Sequence, residues 1–218
     1  MKKSVWKLIR STIMKSKWTF TLLFTAFFGL ISCSSKSQNT IAKNVNKENI
    51  LIVYLSRTNN TKAIAEIIQK HVGGKLIALE LERPYPENYK SIVDQVAKEN
   101  ETGFLPPLKT QIDSMEQYDI VFVGFPTWGM QLPPPMKSFL HEYDLSGKTV
   151  IPFNTNGGYG VGNSFETVKK LCPNSKVLEG FSTNGGIERD GIFFVIKGEK
   201  EKKAEAEVKK WLQKIGML

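Results

Sequence analysis

The sequence predicts one doubly wound α/β domain, in which a five-stranded parallel sheet carries helices on both faces. Two observations support this fold class. From Asn49 to Leu218, short apolar runs alternate with amphipathic segments of helical period, which is the pattern of repeated strand–helix units. The first, third and fourth runs end in polar or glycine-rich loops, and such sheets bind ligands beyond the carboxyl ends of their strands. A chain of 218 residues, 41% of them hydrophobic, suffices for one core with short extensions.

Residues 1–32 have the features of a bacterial lipoprotein signal peptide. They contain six Lys or Arg and no Asp or Glu, and Trp18 to Ile31 carries no charge. This run is shorter than the roughly 20 residues that cross a membrane. Leu30-Ile31-Ser32-Cys33 is similar to a lipobox and predicts lipidation of Cys33; a plain membrane anchor is the alternative. The leader contains no Arg-Arg pair, which favours the general secretory route. We therefore expect an exported lipoprotein, tethered to a membrane and facing the periplasm or the cell exterior.

Residues 33–48 are polar and rich in Ser, Asn and Lys, as expected of a flexible tether between the lipid and a domain at residues 49–218. The net charge of the chain is +9, but outside the leader 24 basic residues balance 21 acidic ones. The basic character is mostly a property of the leader, so we expect no nucleic-acid partner. Cys172 is the second of two cysteines, and we expect it to be a buried or helix-capping residue.

The first half of the domain predicts two strand–helix units. The first strand is the nearly continuous apolar run Ile50 to Leu55, as in a strand covered on both faces. The helix after it ends at Gly73-Gly74, and its apolar face contains Ile64, Ile67, Ile68 and His71. A second strand lies within Lys75 to Leu81. The spacing i, i+3, i+4, i+7 predicts the next helix from Tyr89, Ile92, Val93 and Val96.

The second half continues the alternation. Strands are predicted at Asp119 to Gly124, Lys148 to Phe153 and Lys176 to Phe181, and Gly191 to Ile196 is also strand-like. A helix from Pro134 to Tyr143 begins at prolines, which fit a first turn. A further helical face consists of Phe165, Val168 and Leu171. The clearest stripe, in the last helix, consists of Ala204, Val208, Trp211, Leu212 and Ile215.

The loop after the first strand has the composition of a phosphate site. It combines three hydroxyls with the free N–H groups of a helix start, and its residues are Ser56, Arg57, Thr58, Asn59, Asn60 and Thr61. It contains neither the Gly-Lys-Ser/Thr cradle of nucleoside triphosphates nor the Gly-x-Gly-x-x-Gly of dinucleotide sites. A hydroxyl-rich helix cap without a ligand is the alternative.

The loops after the third and fourth strands could bind a flat ring, one by stacking on its face and the other by contacting its edge. Pro126, Thr127, Trp128 and Gly129 follow the third strand, and a Trp held between Pro and Gly can stack on an aromatic ligand; packing on the following helix is the alternative. After the fourth strand, the glycines allow backbone amides to approach a ligand edge, and the candidate residues are Asn154, Thr155, Asn156, Gly157, Gly158, Tyr159 and Gly160. Tyr159 could stack on the ring or face solvent.

These loops resemble those of the flavodoxin family. Ser56, Thr58, Asn60 and Thr61 match its phosphate loop, Ser/Thr-x-Thr-Gly-Asn-Thr, and Asn59 replaces the glycine; Asn tolerates a left-handed backbone better than most residues. The Pro-Thr-Trp and Phe-x-Thr-x-Gly-Gly segments are similar to the loops around its flavin. The resemblance covers about residues 49–218 and implies a flavodoxin-like sheet of order 2-1-3-4-5 that binds FMN through the residues of the three loops named above.

The resemblance implies electron transfer by FMN to a redox partner protein or a small-molecule acceptor. Two alternatives stay open: an FMN-dependent oxidoreductase that reduces quinones or similar acceptors, and a cofactor-free binding module on the same fold. Electron-carrying flavodoxins are usually acidic, whereas this domain is slightly basic, which puts the classical partners in doubt. His71 and His141 have no ligand-like spacing, so no metal site is expected. Neither a hydrolase motif nor a phosphorylatable Asp after the third strand is present.

Overall fold

A computed structural model describes residues 49–218. The predicted signal peptide (1–32), the lipidated Cys33 and the tether (33–48) lie outside these residues. Within the described part, no helix is long and apolar enough to cross a membrane.

The six strands form one parallel sheet. Their bounds are β1 Ile50–Tyr54, β2 Lys75–Ala78, β3 Ile120–Pro126, β4 Thr149–Asn156, β5 Lys176–Val177 and β6 Phe181–Asn184. The order is β2-β1-β3-β4, followed by β5 and β6, which both pair with β4. The predicted order 2-1-3-4-5 is therefore confirmed, with the fifth position split into two short segments. Gly180 lies at this break, where a Cβ would come 2.7 Å from the Phe165 ring.

Residues 49–218 form five α-helices, four between strands and one after the last strand. They are α1 Asn60–Val72, α2 Tyr89–Thr102, α3 Pro134–Glu142, α4 Ser164–Leu171 and α5 Glu199–Lys214. Alternation along β1 divides the core into two layers, because successive side chains of a strand point to opposite faces. Ile50 and Ile52 pack with α1 and α5, whereas Leu51 and Val53 pack with α3 and α4. The doubly wound fold is thus confirmed.

The helix predictions hold, and two strand predictions need correction. Residues 191–196 are not a strand, because the side chain of Asn60 bonds their backbone in place of a neighbouring strand: it donates to the Phe193 carbonyl and accepts from the amides of Val195 and Ile196. β4 also continues beyond Phe153 to Asn156. Its last three residues, expected in a loop, extend the ladder because they pair with Phe125, Pro126 and β6.

Cys172 is a buried residue at the end of α4, as expected. Burial raises the pKa of its thiol to about 11, so the reactive thiolate form is disfavoured at neutral pH.

Candidate functional site

The carboxyl ends of the central strands meet at a cleft of about 740 Å³. This volume lies within the range of small-molecule sites, roughly 300–1,000 Å³. Its walls are the loops after β1, β3, β4 and β6, together with one face of α2. A doubly wound sheet places its ligand site at this edge, because the connections of neighbouring strands diverge there.

The loop after β1 presents hydrogen-bond donors to the cleft. The backbone N–H groups of Thr58, Asn59, Asn60 and Thr61 make no hydrogen bond within residues 49–218. Asn59 adopts the left-handed conformation (φ 64°) directly before α1, which turns the chain into the helix. Thr58 and Thr61 line the cleft. N–H groups and hydroxyls at a helix start form an anion site without any lysine, so the donor set fits a terminal phosphate.

Arg57 ties this loop to two neighbouring segments. Its Nε donates to Glu188 Oε1 over 2.6 Å, and its two terminal nitrogens donate to the carbonyls of Pro86 and Glu87 over 3.0 and 2.6 Å. Both charged side chains are largely buried, with 23% and 17% of their surfaces exposed. The guanidinium group is therefore committed to protein partners and acts as a brace of the phosphate loop.

Trp128 lies on a tight turn at the side of the cleft. Its backbone exchanges hydrogen bonds of 3.2 and 3.0 Å with Gln131, and Gly129 and Met130 between them have positive φ, as in a primed β-turn. Tyr85 and the indole pack in a T-shaped arrangement, with ring centres 5.4 Å apart and planes at 87°. Tyr85 is fixed in turn by a hydrogen bond to Glu99, and burial together with this carboxylate raises its pKa. The Trp ring is half-buried: it lines the cleft and also packs against the core layer of α3 and α4.

Asparagine side chains hold the loop after β4. Asn154 is fully buried and donates to the Phe125 carbonyl and to Thr127 Oγ1, both over 3.0 Å. Asn156 Oδ1 accepts from the amides of Gly158 and Gly160 over 2.9 and 3.1 Å. These bonds fix the loop of residues 157–160, the glycine loop, against the turn of residues 127–131, the Trp128 loop. The two segments that border the cleft therefore form one braced unit.

Two residues of the rim contact each other. Tyr159 is 65% exposed, and its hydroxyl accepts a hydrogen bond of 3.3 Å from Arg189. Tyr159 therefore lies in the rim of the cleft with its ring largely exposed to solvent.

Known proteins with related sequences identify the family. A family model described as flavodoxin matches residues 49–197. The chain belongs to the flavodoxin family. A flavodoxin of Synechocystis sp. is 28% identical over 119 residues, which is 53% of this chain and 56% of that protein. An FMN-dependent NADH:quinone oxidoreductase of Ruminiclostridium cellulolyticum is 28% identical over 123 residues, 51% of this chain and 57% of that protein. The chain thus spans little more than half the length of these relatives.

Solved structures agree with the flavodoxin fold. A Bacteroides eggerthii protein described as a flavoprotein superimposes with a TM-score of 0.61 at 29% identity, covering 77% of this chain and 97% of that one. A Lactobacillus acidophilus flavoprotein in complex with FMN gives a TM-score of 0.56 at 20% identity, over 62% of this chain and 92% of that one.

The flavodoxin cleft contains thirteen of the seventeen cofactor-binding residues named from the sequence. The four that do not line it are Ser56, Asn59, Asn154 and Gly158. Three of these shape the loops: Ser56 Oγ accepts from the Lys62 amide over 3.3 Å, Asn59 supplies the left-handed turn, and Asn154 braces two strand ends. Gly158 donates its amide to Asn156.

Two walls of the flavodoxin cleft were not anticipated from the sequence. The loop after β6 contributes Gly185 to Arg189, and α2 contributes a face that includes Tyr89, Val93 and Asn100. The spacing of Tyr89, Ile92, Val93 and Val96 correctly predicted a helix, but periodicity cannot tell a face on the core from a face on a cleft. For the β6 loop, the sequence signal that could have indicated a close approach of the chain is the Gly185-Gly186 pair. In the structure, a Cβ on Gly186 would lie 1.9 Å from the Phe193 carbonyl oxygen, so only glycine fits there.

Proposed function

We propose that this protein binds FMN in the cleft and transfers electrons between a redox partner and an acceptor. FMN is the cofactor predicted from the sequence, and the flavodoxin family and the FMN complex of the Lactobacillus acidophilus neighbour bear it out. The observation that carries FMN binding is the donor set at the start of α1. Electron transfer is the role that the resemblance to flavodoxins implies for a protein that binds FMN.

The residues of the chain have distinct roles toward the cofactor. The N–H groups of Thr58 to Thr61 and the hydroxyls of Thr58 and Thr61 bind the phosphate. Trp128, held by Tyr85, excludes water from the flavin ring, and the braced glycine loop offers backbone amides to the edge of the ring. Bound flavin supplies reversible uptake of one or two electrons. Within residues 49–218, no group of His, Cys, Asp or Glu could hold a metal ion.

The proposed location follows from the leader. With Cys33 lipidated and residues 33–48 as a tether, the domain faces the periplasm or the cell exterior and acquires FMN after export. Its electron donor there is a membrane-associated or exported redox protein, because nicotinamide donors are scarce outside the cytoplasm. Metabolic labelling with a radioactive fatty acid, compared between the native chain and Cys33→Ala, tests this proposal; equal labelling of both would contradict it.

The decisive test of FMN binding removes the phosphate contacts. We expect the Thr58→Ala/Thr61→Ala double variant to bind FMN about 100-fold more weakly, because each hydrogen bond to a charged group contributes about 1.5 kcal/mol. Its affinity for riboflavin, which lacks the phosphate, should change less than threefold. Flavin fluorescence titration measures both, and Thr167→Ala on α4 is the matched control. Unchanged FMN affinity in the double variant would refute the proposed anchoring, and a native protein that does not bind FMN would favour the cofactor-free module.

A further inference from the structure

Three consecutive apolar side chains, Ile192, Phe193 and Phe194, are exposed on the loop between β6 and α5. Their exposed fractions are 47%, 55% and 38%. Within residues 49–218 they belong to neither core layer, and they do not line the cleft, whose wall from this loop ends at Arg189. A cluster of exposed large apolar side chains marks a surface that contacts a partner or a membrane. These three residues are called the apolar patch.

The backbone of the apolar patch is fixed by the rest of the domain. The Ile192 amide donates to the Ile187 carbonyl over 3.1 Å. The Asn60 side chain donates to the Phe193 carbonyl over 2.7 Å, and Ile196, two residues beyond the patch, is buried in the core. An ordered segment therefore presents the exposed side chains, so binding at the patch requires little ordering of the backbone.

The charges around the apolar patch favour an anionic surface. Each acidic side chain between residues 187 and 200 has a basic partner: Glu188 pairs with Arg57, Asp190 with Arg189 and Glu199 with Lys202. Lys197 and Lys200 are exposed, and neither makes an ion pair within residues 49–218. Apolar side chains beside free cations bind an anionic bilayer, because the apolar groups enter its interface while the cations attract its headgroups.

The chain that precedes the domain brings a membrane within reach of the patch. Residues 18–31 carry no charge, and both interpretations of the leader, a lipid on Cys33 or a plain anchor, hold the chain at a membrane. The tether, residues 33–48, can span about 55 Å when extended. A folded domain of this size is about 40 Å across. The tether therefore allows any face of the domain to reach the bilayer, and the apolar patch selects the face.

We propose that the apolar patch is a second contact with the membrane, in which its three side chains enter the interface of an anionic bilayer and Lys197 and Lys200 attract the headgroups. The proposal rests on the proposed tethering of the chain and is independent of FMN binding. The loop after β6 lines the cleft before it continues into the patch, so docking holds the carboxyl edge of the sheet beside the bilayer. Redox partners in the same membrane then meet the cleft in a fixed orientation.

The test measures the depth of a nitroxide spin label on the full-length protein in vesicles of phosphatidylcholine and phosphatidylglycerol. The label is attached to Ile192→Cys in the patch or to Ser146→Cys, an exposed position before β4 at the amino ends of the strands. Oxygen concentrates in the bilayer and a nickel chelate stays in water, so paramagnetic resonance with each of them reports depth. We expect an oxygen-to-nickel ratio about threefold higher at position 192 than at position 146. The native chain, treated in the same way, controls for labelling of Cys33 and Cys172.

Substitution of the neighbouring rings tests the patch itself. With the label at position 192, Phe193→Ser/Phe194→Ser should lower the ratio to that of position 146. Phe104→Ser is the matched control and should leave the ratio unchanged, because Phe104 is 53% exposed but follows α2, outside the patch. FMN titration of the double variant should give the native affinity within about twofold, since the patch does not line the cleft.

Two outcomes separate this proposal from the tether on which it rests. Equal ratios at positions 192 and 146 in the otherwise native chain, or an unchanged ratio in the double variant, would overturn the second contact and make the patch a surface for a protein partner. The proposed tether would stand in that case, provided that the protein still floats with the vesicles on a density gradient. A native protein that does not float with them would overturn the proposed tethering itself.

Discussion

At the scale of single residues, the phosphate loop depends on backbone conformation more than on charge. Arg57 is its only cationic side chain, and the guanidinium group is committed to Glu188 and two carbonyls. What remains for an anion is a set of N–H groups and hydroxyls, whose direction depends on the turn into α1. That turn is made by Asn59 at φ 64°, so the residue that departs from the family pattern also sets the geometry of the loop.

Substitutions of Asn59 test this dependence. Asn59→Gly should keep the free energy of unfolding within about 0.5 kcal/mol of the native value, because glycine adopts positive φ freely. Asn59→Ala should lower it by about 1 kcal/mol, the cost of a left-handed residue with a Cβ. Urea unfolding without flavin measures both variants. The left-handed turn would be unimportant if the alanine variant were as stable as the glycine variant.

The residue scale also shows where prediction from sequence stops. The left-handed Asn59 was predictable, because the family has glycine at this position and Asn shares that preference. The role of Asn60 was not: its amide bonds Phe193, Val195 and Ile196, more than 130 residues away in sequence. Asn154 was named as a ligand contact, yet it is fully buried between strand ends. A polar side chain beside a predicted site can serve the ligand or the loops, and sequence does not separate the two.

At the scale of elements, the cleft is an assembly of loops joined by few polar contacts. Arg57 connects the loops after β1 and β6 with the segment before α2, and Thr127 Oγ1 donates to the Gly160 carbonyl to connect the loops after β3 and β4. Such contacts fix the loops before a ligand arrives, which lowers the entropic cost of binding. α2 makes two polar contacts of its own, Glu99 with Tyr85 and Asn100 with Lys137, and it buries Ile92 and Val96.

The effect of the hydrogen bonds that Arg57 makes can be tested separately from the effect of its positive charge. Arg57→Lys keeps the positive charge, but an ammonium group cannot reproduce the planar fork that reaches Glu188, Pro86 and Glu87 together. We expect Arg57→Lys and Arg57→Ala to weaken FMN binding by a similar factor of about ten, since both release the loops. Fluorescence titration measures the affinities, with Lys62→Ala as a control for a nearby exposed cation. Native affinity in Arg57→Lys combined with weak binding in Arg57→Ala would mean that charge matters and the brace does not.

At the scale of the whole molecule, the alternation of strands and helices predicted a doubly wound sheet and the resemblance to flavodoxins implied its strand order, whereas neither predicted the packing of α2. The central strands are buried on both faces, so their apolar runs are nearly continuous and easily recognised. Strand–helix alternation then restricts the connections to a few right-handed arrangements. The surroundings of α2 depend on contacts that leave no periodic signal, such as Lys137 with Asn100. The fold and three walls of the cleft were therefore predictable, and the two remaining walls required the structure.

The same whole-molecule view predicts how cofactor and stability are linked. The phosphate loop, the Trp128 loop and the glycine loop exist as one site only in the folded domain, so FMN should bind the folded and not the unfolded chain. At a free FMN concentration 100 times the Kd, binding stabilises the folded state by about 2.7 kcal/mol. For a domain of this size, that corresponds to a rise in Tm of about 5 to 10 °C. Thermal unfolding followed by circular dichroism measures the rise, and riboflavin at the same concentration should give a smaller one because it lacks the phosphate. Equal shifts with the two flavins would place the binding energy in the ring contacts around Trp128 and contradict a phosphate anchor at the start of α1.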